Sequence, residues 1–390
     1  MRSVSHKSER CTESVIRGMT RLCELHGGIN LAQGFPDFPT PHELKEAAKR
    51  AIDADYNQYA VTWGTRDFRG AIAAKVERTN GIACDPDTEI TVTCGSTEAM
   101  IATLLAVVND GDEIVIFEPF YENYGPDAVL SGATPVYVPL RPPHFTFDVA
   151  ELRAACGPRT KAIIVNTPHN PSGHVFTRAE LEQIAAVCHD VDCLLITDEI
   201  YEHIIYDGRA HVSPASLPGM RDRTITISGL SKTYSVTGWR LAYAIAPPVL
   251  TAAIRKTHDF LTVGAPHPLQ CAGVHALALP DTYYQQLLAD YAARRAILSE
   301  ALTTADFRIF VPEGAYYILA DISDFGTRDD VEFCQWLVRD IGVAAVPGSS
   351  FYRHPERGRH LIRFAFCKRE ATLHAAAERL AHVPARAKRR

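Results

Sequence analysis

Three absences bound this chain of 390 residues before any motif is read. Its ten cysteines are scattered singly with no Cys-x-x-Cys pair. The closest two, Cys188 and Cys193, have no His-x-His partner, so neither a disulfide framework nor a zinc site is indicated. No stretch approaches the roughly 18 uninterrupted apolar residues of a membrane span. The longest greasy run is Met100–Val108, of helix-core length, and the first thirteen residues lack an apolar signal-peptide core. There is no excess of positive charge either. Forty basic residues against 46 acidic leave a formal charge of -6, which argues against nucleic acid or an anionic membrane as partner. A basic ending, Arg386–Arg390, is read as a short solvated tail. The expectation is a reduced, cytoplasmic protein whose cysteines are small apolar fillers.

What remains is an ordinary enzyme composition, 46% hydrophobic and 22% charged, with length for two or three domains. Near-continuous apolar runs recur at Glu89–Thr93, Glu113–Phe117, Lys161–Val165, Cys193–Thr197 and Thr224–Ile227. Unbroken rather than alternating apolarity marks strands covered on both faces. Helical patterns are expected at Leu44–Ala51, Thr97–Val108 and Ala179–His189. The alternation predicts an α/β fold with a mostly parallel sheet. A long helix from Tyr283 to Thr303 leads into shorter segments: Phe307–Val311, Ala315–Ile322, a helix at Asp330–Asp340, Ala344–Val346 and His360–Phe366. That change predicts a smaller α+β domain at 284–390, after a large domain at 45–283 and an N-terminal segment at 1–44.

In open α/β sheets ligands gather at the carboxyl ends of strands, and the unusual polar residues stand there. Cys94-Gly95-Ser96-Thr97-Glu98 opens an apolar helix and offers an anion cradle of backbone N–H groups, though plain helix capping uses the same residues. Neither G-x-G-x-x-G nor G-x-x-x-x-G-K-[ST] is present there, so a dinucleotide or nucleotide loop is not supported. Asn166-Thr167-Pro168-His169-Asn170-Pro171 follows the next run; a rigid turn is its plain alternative. Asp198, Glu199 and Tyr201 follow another, and a carboxylate ending a buried strand is costly without a cation. Ser228 to Arg240 then carries one Lys and one Arg among hydroxyls and glycines. Together these make one site. The cradle and Arg240 suit a phosphate, Asp198 a protonated ring nitrogen, Asn170 and Tyr201 a phenolic oxygen, and Lys232 an aldehyde. Those are the groups of pyridoxal 5'-phosphate.

At this point the sequence resembles a known family. The pattern S-x-x-S-K-T-Y-x-x-T-G-W-R at Ser228–Arg240 is that of fold-type-I, class I/II pyridoxal-phosphate aminotransferases. The chain is most similar to their kynurenine aminotransferase, glutamine transaminase K and methionine aminotransferase branch. Ordered matches run from Ile29–Phe38 through Asn57-Gln58-Tyr59, Glu118-Pro119-Phe120-Tyr121, Gly314-Ala315-Tyr316-Tyr317 and Val346–Phe351 to Leu361–Lys368. The resemblance implies that Lys232 bonds the cofactor and then serves as general base. It implies that Asp198 pairs with the ring nitrogen, Asn170 and Tyr201 hold the phenolic oxygen, and Tyr121 stacks on the ring. The phosphate would lie on Gly95, Ser96, Thr97 and Arg240, with Tyr59 reaching the neighbouring subunit's cofactor in a homodimer. Arg363 would grip the substrate carboxylate, beside Gly34 and Asn166.

Three positions depart from the pattern. Gly229 stands where many relatives have a phosphate-binding Ser, leaving Ser231 or Ser228 to supply the hydroxyl, with Ser231 preferred. Arg240 replaces a Lys of part of the branch, and Ile16 lies where some relatives place an aromatic ring. The expected reaction moves an amino group from an L-amino acid to a 2-oxo acid by a ping-pong route. A cysteine-conjugate C–S β-lyase and an aspartate aminotransferase are the alternatives within the fold. A cofactor-responsive regulator would need a DNA-binding module, and only about 30 residues precede the Gly34 segment. An acidic substrate calls for a second cation. Arg17 and Arg21 are candidates that sequence alone does not place, so methionine, glutamine, kynurenine and similar neutral or aromatic substrates are expected ahead of aspartate.

Overall fold

A computed structural model describes residues 4–11, 13–327 and 329–384; the basic ending Arg386–Arg390 lies outside the described residues. The apolar runs form a seven-stranded sheet from β1 (Ile90–Thr93), β2 (Glu113–Glu118), β3 (Thr134–Pro139), β4 (Thr160–Asn166), β5 (Leu194–Asp198), β6 (Thr224–Gly229) and β7 (Ala242–Ile245). Their order is β1-β7-β6-β5-β4-β2-β3, parallel except for β7, which runs antiparallel to both its neighbours.

Side chains alternate across this sheet, which explains why the runs are apolar without a break. Ile114, Ile116, Ile164 and Ile196 pack on one face against Ala99, Met100 and Leu104 of helix α2 (Ser96–Val107). Val115, Phe117, Ile163, Val165 and Leu195 pack on the other against Leu181, Ile184 and Val187 of helix α3 (Arg178–Asp190). Here α1 denotes the earlier helix Val15–Leu25.

Two strands of the sheet carry no strong sequence signal. Pro135 and Pro139 sit in β3, where an edge position tolerates their missing N–H groups. Ala242-Tyr243-Ala244-Ile245 is short and half alanine, and becomes a strand because it fills the gap between β1 and β6.

A 24-residue helix α4 (Asp281–Thr304) leads to a second, antiparallel sheet of β8 (Arg308–Phe310), β9 (Tyr317–Asp321), β10 (Val346–Pro347) and β11 (Leu361–Ala365), in the order β10-β11-β9-β8. The expected helix at Asp330–Asp340 is α-helical only to Trp336 and widens to a π-helical turn over Leu337–Ile341. The N-terminal segment belongs to this end of the molecule. Ile29–Asn30 pairs in parallel with Val343–Ala344, and Leu31 O accepts from the Ala365 N–H at 2.7 Å. Ile16, Met19 and Cys23 of α1 share a core with β9 and β11.

Ile196 has no exposed surface and sits in the middle of β5, the sheet's central strand. Ile196→Ala is expected to cost about 2–5 kcal/mol through lost transfer energy and a residual cavity; denaturant unfolding with an unchanged slope measures it.

Candidate active site

Because β1, β2, β4, β5 and β6 are mutually parallel, their carboxyl ends open on one edge, and a cavity of about 330 Å³ lies there. Its wall brings together Ser96 and Thr97 after β1, Tyr121 after β2, and Asn166 and Asn170 at and after β4. Asp198 and Tyr201 come from the end of β5, and Ser231, Lys232 and Arg240 follow β6. The second sheet adds Tyr317 and Arg363, and the N-terminal segment adds Gly34. These side chains span residues 34 to 363, and only the fold makes them neighbours.

Asp198 is buried. Its Oδ2 accepts from the Tyr124 hydroxyl at 2.8 Å and its Oδ1 from the Ile200 N–H at 3.2 Å. Burial pushes its carboxyl up to about 6, against the pull of these donors, so the ionised form lacks a full counter-charge. Lys232 faces the cavity with its Nζ 3.2 Å from the Gly34 carbonyl and 5.7 Å from the centre of the Tyr316 ring. Loss of water brings its ammonium down to about 8, with Arg240 and Arg363 pushing the same way and Asp198 opposing. Gly34 is pressed on the Tyr317 phenol, which leaves no room for a Cβ.

Arg363 is fully buried. Its Nη1 donates to Asn170 Oδ1 at 2.7 Å and its Nη2 to the Ala32 carbonyl at 2.9 Å, while the guanidinium lies 4.1 Å from the centre of the Tyr317 ring. Its Nε is buried with no hydrogen-bond partner. The cradle at the start of α2 is tight. Gly95 has φ +94°, and the Arg240 guanidinium occupies the space a Cβ would need.

Asn166 and Asn170 serve different ends. Asn166 is spent inside the protein, donating to the Asp198 carbonyl at 2.9 Å and accepting from the Asn170 N–H at 2.7 Å. The Tyr201 hydroxyl lies 3.0 Å from that of Tyr317. Burial lifts the Tyr121 phenol to about 12 and keeps it neutral. Of the two serines, Ser231 lines the cavity, whereas the Ser228 hydroxyl turns away to Glu202 at 2.6 Å. Gly229 has a steric cause. A Cβ there would lie 2.6 Å from that of Ala242 on β7, so a serine would push the strands apart. Tyr59 is 86% exposed and takes no part in the wall.

Sequence reasoning passed over Tyr124 and Tyr317. Tyr124 follows Tyr121 by three residues and Tyr317 ends the Gly314–Tyr317 motif, but neither spacing discloses a contact with Asp198 or Tyr201.

Residues 26–380 match the family model described as aminotransferase class I and II. The chain belongs to that family. It is 41% identical to the methionine aminotransferase of Escherichia coli (strain K12), covering 94% of this chain and 95% of that one. It is 35% identical to kynurenine–oxoglutarate transaminase 1 of Homo sapiens, covering 92% and 93%. The solved structure of N-succinyldiaminopimelate aminotransferase from Mycobacterium tuberculosis superposes with a TM-score of 0.95 at 39% identity, covering 98% of this chain and all of that one.

The aminotransferase uses pyridoxal phosphate, and the donor set fits that group. A lysine held partly neutral, a buried carboxylate short of a cation and a glycine-narrowed helix N-terminus beside an arginine face one cavity.

An amine titrating near 8 is nucleophilic at neutral pH to an extent that an ordinary lysine at 10.5 is not. The rate at which cofactor-free enzyme captures pyridoxal phosphate is expected to rise with a midpoint near 8 when followed by absorbance. A midpoint near 10.5 would show that the cavity does not strip water from Lys232.

Proposed function

We propose that this aminotransferase takes a neutral, sulfur-containing or aromatic L-amino acid as donor and a 2-oxo acid as acceptor, both in this cavity. One observation carries the reading: the buried Arg363 lines a cavity whose wall also holds apolar Ile16 and the Tyr121 and Tyr317 rings. An α-carboxylate answers the first and an apolar side chain the second. The relatives named for methionine and for kynurenine support the same donor class.

Bound pyridoxal phosphate supplies an aldehyde that captures the substrate amino group and a ring that absorbs the electrons released at Cα. The chain supplies the rest. In the proposed roles, the N–H groups at Gly95, Ser96 and Thr97, the Ser231 hydroxyl and Arg240 bind the phosphate. Asp198 meets the protonated ring nitrogen, and that cation would draw its carboxyl back toward the ionised form. Asn170 and Tyr201 face the phenolic oxygen, and Tyr121 covers the ring. Lys232 Nζ carries the proton to and from the substrate Cα, a task suited to a base poised near the working pH. Arg363 fixes the carboxylate and so the direction of the Cα–H bond. Tyr59 reaches the neighbouring subunit's phosphate in a cytoplasmic homodimer, a use for a large side chain otherwise left in solvent.

Mixing holoenzyme with L-methionine alone tests the reading. The visible cofactor band is expected to fall as one equivalent of 2-oxo acid appears, with turnover once a second 2-oxo acid is added. Release of pyruvate and ammonia from an S-substituted cysteine, with no transfer of its amino group, would point instead to β-elimination. Lys232→Ala should abolish turnover, and Asp198→Ala should lower kcat about 100- to 1,000-fold. Near wild-type kcat with cofactor bound would remove Asp198 from the mechanism. Mixed dimers of Tyr59→Ala and Lys232→Ala chains should regain activity in one of their two sites. No regain would place Tyr59 outside the partner's site.

A further inference from the structure

Four cations and two carboxylates face the cavity: Lys232, Arg240, Arg363 and Arg17, with Asp198 and Glu122. On the proposed roles, the cofactor and the substrate α-carboxylate engage the first three cations and Asp198. Arg17 and Glu122 are left over. Glu122 Oε1 accepts from the Ser14 hydroxyl at 2.5 Å, which fixes that carboxylate at the start of α1. The Arg17 guanidinium makes no hydrogen bond or ion pair among the described residues. Its neighbour Arg21 does not line the cavity and is paired with Glu13 at 2.6 Å.

The base of Arg17 is held while its head is free. The Arg17 N–H donates to the Ser14 Oγ cap at 3.2 Å, and Ile16 beside it is anchored in the core shared with the second sheet. Arg17 therefore offers a fixed origin and an exposed guanidinium, unpaired among the described residues, on the wall that also carries Arg363.

We propose that Arg17 recognises the distal carboxylate of a dicarboxylic 2-oxo acid, making the acceptor of the second half-reaction a diacid. This rests on the reading of the cavity as the transamination site. Arg17 extends that reading to the end of the substrate remote from the reacting carbon.

Exposure explains how one cavity would serve a neutral donor and an acidic acceptor. A buried arginine left unpaired by a neutral side chain would be strongly destabilising. An exposed one lays its methylene stem along the substrate and keeps its head in water. With a diacid bound, the same head forms a charge-assisted pair. Glu122 faces the same space and opposes any anion, so Arg17 and the Ser14 hydroxyl must offset it.

The test compares holoenzyme acting on L-methionine with 2-oxoglutarate or with 2-oxohexanoate, which has a similar chain and no second carboxylate. Arg17→Met is expected to lower kcat/KM for 2-oxoglutarate about tenfold, the order of one charge-assisted hydrogen bond. The value for 2-oxohexanoate should change by less than about twofold, and Arg17→Lys should restore part of the loss. Binding gives a second readout. The affinity of unreactive glutarate, measured by calorimetry, should fall in Arg17→Met and with added salt, while that of pentanoate should not. Losses of equal size for both acceptors, or no loss for either, would overturn the role of Arg17 and leave the aminotransferase reading intact. No turnover of the wild type with any acceptor would overturn both.

Discussion

A guanidinium with no exposed surface is costly unless partners take up its charge, and the partners of Arg363 come from remote parts of the chain. Ala32 O belongs to the N-terminal segment, Asn170 to the loop after β4, and Arg363 itself to the second sheet. The buried charge thus requires that the two sheets and the N-terminal segment meet at one place, and that place is the cavity. The segment is threaded to suit: Leu31 bonds to Ala344 and Ala365, and the Gly34 carbonyl accepts from Lys232 and from the Tyr316 hydroxyl. Two of the five N–H donors of Arg363 are met by Asn170 and Ala32, so the side chain is held in place, and in its proposed role it would bind a carboxylate without the cost of ordering a flexible side chain.

The same dryness tunes the groups around it. Asp198 is driven up and Lys232 down by one cause, removal of water from a charged form, so each is left closer to neutrality than in solution. On the proposed roles, a cofactor bringing a cation to the first and an aldehyde to the second would relieve both. The support lies behind the cavity, in a buried cluster. Lys75 pairs with Glu202 at 2.6 Å, Glu202 also accepts from Asn80 and Ser228, and Glu199 accepts from Ser213 and from the His211 side, each at 2.7 Å. Lys75 holds the Glu202 carboxyl well below the usual carboxylate range against strong desolvation. Glu199 follows Asp198 directly and Ser228 precedes Lys232 by four residues. The cluster therefore ties the ends of β5 and β6 to the helix bearing Lys75 and keeps Asp198 and Lys232 in register.

Much of this was legible in the chain. Unbroken apolar runs marked sheet strands because helices cover both faces, and the polar residues at their ends stood out against so apolar a background. Ser228–Arg240 displayed a lysine, hydroxyls and an arginine in one local stretch, and Ser231, Lys232 and Arg240 of that stretch all line the cavity. Short-range chemistry of this kind depends on spacing along the backbone, which sequence records directly.

The tertiary structure decided what depends on distance between remote residues. β7 is a strand because of the gap it fills, and β3 tolerates its prolines because it lies at the edge. Ser231 rather than Ser228 faces the cavity because a buried glutamate takes the other hydroxyl. Gly229 is set by the close approach of β7, Tyr124 by its reach to Asp198, and Arg17 by the packing of α1 on the second sheet beside the cavity. Sequence alone determined which chemistry the chain can perform, because reactive groups and their local order are written residue by residue. Which side chains are dry, paired or free was decided only by folding, because burial and contact are properties of the space between segments.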